Sequence, residues 1–127
     1  MPVITCIDDL KRLYRRRVPR MFHDYAESGS YTEQTFRDNV DDFARLRLRQ
    51  KVAVDMTNRS TRTTLIGQEA AMPVALAPVG MTGMQCADGE IKAARAAAAF
   101  GVPYTLSTMS ICSIEDVAAH SPAPFWF

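Results

Sequence analysis

The stretch from Pro73 to Phe127 sets the tightest limit on what this chain can fold into. Val74-Ala75-Leu76-Ala77 is an apolar run without alternation, which suits a parallel strand buried on both faces. Pro78-Val79-Gly80 ends it. A helix is predicted from Gly89 to Phe100, rich in alanine at Ala93, Ala94 and Ala96 to Ala99, and stopped by Gly101. Its small side chains let it lie close on a sheet. Tyr104-Thr105-Leu106-Ser107 reads as a second strand. Ser113 with Asp116 caps a short helix carrying Val117 and Ala118. Phe125-Trp126-Phe127 begins a third strand. The order β-α-β-α-β with short loops marks a parallel α/β sheet. A third strand that has only begun leaves an open edge, so the natural domain is expected to continue past Phe127.

The first 50 residues read as helical. Thr5, with Asp8 three residues on, is a candidate cap for a helix bearing Leu10, Leu13 and Tyr14. Pro19 ends that helix or starts the next. Met21 to Glu27 forms a short helix with Gly29 as its stop. Thr32 caps a third, in which Phe36, Val40, Phe43 and Ala44 make one apolar stripe. Over residues 51–72 the pattern changes. Val52, Val54 and Met56 alternate with Lys51, Ala53 and Asp55, as in a half-exposed strand. Thr63 to Leu65 and the stretch after Gly67-Gln68 predict a small hairpin. Residues 73–127 then carry the strand–helix alternation.

Composition excludes several classes. A 47% hydrophobic and 23% charged content is that of a soluble globular domain. The net charge of +1 gives no global field for nucleic acid. No apolar run reaches the roughly 20 residues of a membrane span. Asp8, Asp9, Lys11, Arg12 and Arg15 to Arg17 occupy the place of a signal peptide's apolar core. Cytoplasmic synthesis is expected, with any membrane attachment peripheral or through a partner. Cys6, Cys86 and Cys112 are widely spaced, which argues against a disulfide framework or a zinc site. They read as small apolar residues in a reducing compartment. No P-loop, GxGxxG, HExxH or CxxC pattern occurs.

In α/β barrels ligands bind at the C-terminal ends of the strands. Ala77-Pro78-Val79-Gly80-Met81 stands at such an end, where Gly80 would let the backbone approach a flat ligand and N–H groups could face it. A plain strand-to-loop turn is the alternative. Ser107-Thr108 ends the second strand; its hydroxyls serve either a ligand or a turn. The Tyr25 phenol is a candidate donor to a substrate carboxylate, or an ordinary core or surface tyrosine. His23 and His120 are isolated and read as structural or solvated. The cluster of Lys11, Arg12, Arg15, Arg16, Arg17 and Arg20 reads as a solvated helix face.

Three segments carry a family resemblance. They are Phe22-His23-Asp24-Tyr25-Ala26-Glu27-Ser28-Gly29-Ser30 followed by Thr35 and Asn39; Met72 to Met81 followed by Gly89-Glu90, Ala93 and Arg95; and Thr105 to Thr108 with Ser113 to Ala118 behind it. In this order and spacing the chain resembles the opening of FMN-dependent α-hydroxy-acid dehydrogenases and oxidases, from about Ile7 to Phe127. Pro78-Val79-Gly80 and Leu106 to Ser110 are most similar to the bacterial respiratory L-lactate dehydrogenase group. Gly80, where many of the oxidases carry alanine, leans the same way.

The resemblance implies the N-terminal portion of a (β/α)8 barrel, covering about the first third of a family member. It implies FMN as cofactor and oxidation of an L-2-hydroxy acid, L-lactate to pyruvate, with electrons passed to a quinone or cytochrome of the respiratory chain. Tyr25 matches the tyrosine that bonds the substrate carboxylate. Ala77, Pro78, Val79 and Gly80 lie in the segment that runs along the flavin, and Ser107 matches a hydroxyl that bonds it. The family's histidine base, carboxylate-binding arginines and flavin-side lysine have no matching position here, so no catalytic residue is assigned within this chain. Its Gln-x-Tyr motif would follow Phe127. The chain alone is expected to be inactive. The family also implies homo-oligomers and peripheral attachment to the inner face of the plasma membrane. Two other readings stand beside it: a non-catalytic interaction module using the open sheet edge, and a different, phosphate-binding barrel.

Overall fold

A computed structural model describes residues 3–127. It divides into two compact units, one ending at Met56 and the other spanning Thr57–Phe127.

The first unit holds three helices, α1 (Ile7–Arg17), α2 (Arg20–Glu27) and α3 (Gln34–Arg45). Helix α1 starts from Cys6, so the residue that reaches back is Asp9 and not Asp8: the Thr5 N–H and hydroxyl both donate to Asp9 Oδ2 at 2.9 Å. Those two Thr5 bonds hold the Asp9 carboxyl below its ordinary range. Asp8 and Asp9 in the first turn and Arg15, Arg16 and Arg17 in the last complement the helix dipole. Lys11 pairs with Glu27, and the Tyr14 hydroxyl donates to the Phe22 carbonyl at 3.1 Å. These contacts tie α1 to α2. Arg12 pairs with Asp9 and Arg20 with Asp24, as a solvated helix face does.

Two expected caps are displaced. Helix α2 closes on Ser28 in an extended conformation, one residue before Gly29. Thr32 does not cap α3. The cap position is Glu33, left-handed at φ 57°, and its carboxylate accepts the Gly29 N–H at 3.0 Å. That left-handed turn points the chain into the helix one residue later than a Thr32 cap would.

The strand expected over Val52, Val54 and Met56 does not form. Alternation makes a strand only when a neighbouring ladder is available. Here Ala53 takes a positive φ of 57°, which breaks the extended run.

In the second unit the hairpin forms as expected. Strands β1 (Thr63–Leu65) and β2 (Gln68–Ala70) pair antiparallel, Thr63 opposite Ala70 and Leu65 opposite Gln68. Ile66 and Gly67 both have positive φ, 48° and 75°, the geometry of a tight two-residue turn whose twist matches the strands. Three parallel segments follow, shorter than their apolar runs. Leu76 bridges to Tyr104, and Thr105 to Trp126. Leu76 N–H donates to Pro103 at 2.9 Å, Thr105 N–H to Leu76 at 3.1 Å, and Leu106 N–H to Trp126 at 2.8 Å. The Tyr104 segment is therefore the middle of three parallel segments.

Helices α4 (Thr82–Gln85), α5 (Gly89–Phe100) and α6 (Ile114–His120) fill the connections. Helix α5 spans the predicted residues. Of its alanines, Ala94 and Ala97 are buried and pack with Val102, Tyr104, Leu106 and Val117. The Ser113 hydroxyl accepts the Asp116 N–H at 3.0 Å and donates to its carboxylate at 2.7 Å, so the α6 cap is as expected. Cys6 and Cys86 are exposed and Cys112 is half-buried; the small-apolar reading fits Cys112 alone.

Candidate functional site

The parallel bridges bring two of the sequence candidates together. Ala77 to Gly80 leaves the Leu76 segment at the same end at which Ser107 leaves the neighbouring Tyr104–Thr105 segment. Beyond them the two loops are joined directly: Met81 N–H donates to the Met109 carbonyl at 2.9 Å. The first loop is braced by the Thr82 hydroxyl, which donates to the Val79 carbonyl at 3.0 Å. In the second, Ser107 Oγ accepts the Met109 N–H at 3.1 Å, leaving its own O–H available to donate. Ala77, Pro78 and Val79 are exposed and Gly80 is half-buried. Among the described residues the N–H groups of Val79 and Gly80 have no acceptor. Unpaired donors on an open loop are a ready surface for a polar, flat ligand.

Beneath these loops lies a group to which the sequence assigned no role. Glu90 is fully buried. Its Oε1 accepts the Gly83 N–H at 2.9 Å and the Ile111 N–H at 3.0 Å. Burial by itself would push this carboxyl up; the N–H groups of Ile111, Gly83 and Glu90 itself, with the Cys112 thiol, outweigh it and bring it below its ordinary value. Burial, then the Glu90 charge, pushes both the Cys112 thiol and the Tyr104 phenol up. Glu90 belongs to the Gly89-Glu90 pair that carries part of the family resemblance, and it stands in the first turn of a helix, where an acid is unremarkable; neither signal marks it as buried.

Tyr25 stands on α2 in the first unit and is about half exposed, at 49%. Beside it, His23 Nδ1 lies 3.2 Å from Asp24 Oδ1. The His23 ring stacks on Tyr14 with centroids 5.5 Å apart, and its Nε2 is buried without a partner. The hydrogen bond to His23, helped by Arg20, holds the Asp24 carboxyl below its ordinary range. A ring enclosed in this way is a packing element. His120 Nδ1 lies 2.8 Å from the Asp116 carbonyl within its own helix. Among the described residues no three His, Cys, Asp or Glu side chains gather to hold a metal, and no helix is long and apolar enough to cross a membrane.

The family model of FMN-dependent dehydrogenases matches residues 14–127. The chain belongs to the FMN-dependent dehydrogenase family. It is 50% identical over 125 residues to an L-lactate dehydrogenase of Caulobacter sp. (strain K31), covering 98% of this chain and 33% of that protein. It superposes on the monotopic membrane protein (S)-mandelate dehydrogenase with a TM-score of 0.91 at 34% identity, covering 99% of this chain and 34% of that one. A mandelate oxidase superposes with a TM-score of 0.90 at 33% identity, over 98% and 36% of the two chains. The chain thus spans about one third of the length of the relatives it matches. The strand–helix alternation is the opening of the (β/α)8 barrel of these enzymes.

The cofactor of the family is FMN. The second unit fits one edge of such a ligand: unpaired N–H donors at Val79 and Gly80, and a hydroxyl at Ser107 on the adjoining loop.

Proposed function

We propose that this chain forms the substrate-carboxylate contact and one flavin edge of an L-2-hydroxy-acid dehydrogenase that converts L-lactate to pyruvate and passes electrons to a respiratory quinone or cytochrome. The observation that carries the reading is the adjacency of the Ala77–Gly80 and Ser107 loops, with unpaired N–H groups at Val79 and Gly80. Identity of 50% to an L-lactate dehydrogenase favours lactate as substrate.

FMN, when bound, supplies the redox chemistry and accepts the two electrons. Val79 and Gly80 would hold it through their free backbone N–H groups, and Pro78 stiffens that loop. Ser107 would hold it through a hydrogen bond from its O–H, whose oxygen already accepts the Met109 N–H. Tyr25 would donate its phenolic O–H to the substrate carboxylate, a contact that helps to hold the substrate. Removing the substrate's protons takes a base. His23 is enclosed against Tyr14 and His120 is bonded within its own helix, so neither is assigned as that base and the part proposed for this chain is binding and orientation. The same reading places the enzyme peripherally on the inner face of the plasma membrane, as a homo-oligomer.

A chimera tests this reading, with the chain replacing the matching third of the Caulobacter L-lactate dehydrogenase. Dye reduction with L-lactate, glycolate and mandelate is compared. The reading expects the highest kcat/KM for L-lactate. Equal or better use of mandelate refutes the lactate assignment.

A further inference from the structure

Glu90 has no part in the contacts to cofactor or substrate set out above, yet its carboxylate is fully buried. One oxygen takes two backbone donors. Gly83 lies just past the first strand's loop, in α4, and Ile111 lies in the loop after the second strand, 21 residues from Glu90. The junction is closely packed. A Cβ added at Gly83 would lie 2.7 Å from Ile111 Cβ and 2.9 Å from Glu90 Oε2, so only glycine lets the three meet. The Oε2 oxygen is buried without a hydrogen-bond partner. Nature tolerates such a cost where the group fixes a specific arrangement.

We propose that Glu90 is the positioning residue of the flavin edge: by spanning Gly83 and Ile111 it sets the separation of the Ala77–Gly80 and Ser107 loops. The assignment rests on the flavin-site reading of those loops. What matters is reach. Both N–H groups converge on one acceptor at the end of a three-carbon side chain, and a shorter acid cannot meet both. A glutamine keeps the reach and the acceptor while losing the charge.

The test uses the 127-residue chain and its E90A, E90D and E90Q variants. Amide exchange is followed at Gly83 and Ile111, with Leu106 and Val117 as core references. FMN is titrated while the amide signals of Val79, Gly80 and Ser107 are observed, which detects weak binding. E90A and E90D are expected to speed exchange at Gly83 and Ile111 together by about tenfold or more while the references stay slow. The FMN-induced shifts should fall in parallel, and E90Q should restore both. Rescue by E90D and not by E90Q would overturn the proposal, because charge and not span would then be the operative property. Unchanged FMN shifts in E90A would overturn it as well. If E90A fails to fold, the contrast between E90D and E90Q decides. If FMN moves neither loop in the unmodified chain while exchange responds as expected, the flavin-site reading fails and the positioning role fails with it; the exchange data then identify Glu90 as a fold tether alone.

Discussion

Glu90 Oε1 accepts the Ile111 N–H at 3.0 Å from 21 residues away in the chain. The same oxygen accepts the Gly83 N–H at 2.9 Å. One buried atom thus joins the segments that follow two neighbouring parallel strands. In a barrel enzyme these are the segments that build the ligand face, and the proposed positioning role makes one contact serve both fold and site.

Acid should remove the stability that the Glu90 charge adds while leaving its span across the two loops in place. The Glu90 carboxyl lies below its ordinary value of 4.5 in the folded chain. A carboxyl lowered by folding contributes stability that is fully present above its unfolded value and is lost as pH falls through the folded one. Urea midpoints measured from pH 7 down to pH 3 should therefore fall below about pH 4.5. E90Q should show a shallower fall over that window. An identical acid profile in E90Q would remove Glu90 as a source of the effect.

Gly83→Ala should be costly out of proportion to one methyl group. Its Cβ would sit 2.7 Å from Ile111 Cβ, well inside contact distance. Either Ile111 moves or α4 does. A loss of about 1–3 kcal/mol is expected from overpacking, measurable as a lower urea midpoint with an unchanged slope.

Leu106 is 2% exposed and shares one buried cluster with Ala94 and Ala97 of α5 and Val117 of α6. Leu106→Ala should cost about 2–5 kcal/mol through lost burial and a residual cavity. Calorimetry or urea unfolding of the second unit reads it. Leu48 is fully exposed, and Leu48→Ala should move stability by less than about 0.5 kcal/mol.

Tyr25→Phe in the chimera removes one hydroxyl and keeps the ring. If that hydroxyl donates to the substrate carboxylate, KM for L-lactate should rise about tenfold with bound flavin unchanged. An unaltered KM would return Tyr25 to the status of a surface residue.

Local signals made much of this fold legible. Gly67 forced the hairpin turn, Ser113 with Asp116 marked the start of α6, and Gly101 marked the end of α5. Each of those decisions is made within four residues of chain. The misreadings share the opposite property. The alternation of Val52, Val54 and Met56 satisfies the period of a strand, but a strand also needs a ladder, and Ala53 turns the chain instead. Thr32 looked like a cap, while the left-handed Glu33 made the turn. The flavin loops were found because their residues resemble a family. Glu90 stands in one of the same family-like segments, but its buried, loop-spanning contacts are not legible there, since its partners lie 7 and 21 residues away and an acid at a helix start carries no mark of burial.

The central claim is that these residues form one edge of a working flavin site. The most direct test is the absorbance spectrum of the purified chimera, recorded without oxygen before and after L-lactate is added. The account predicts bound oxidised flavin that bleaches on addition of L-lactate, with bleaching slowed when Tyr25 is replaced. A folded chimera that purifies without flavin, or whose flavin no 2-hydroxy acid bleaches, would contradict it.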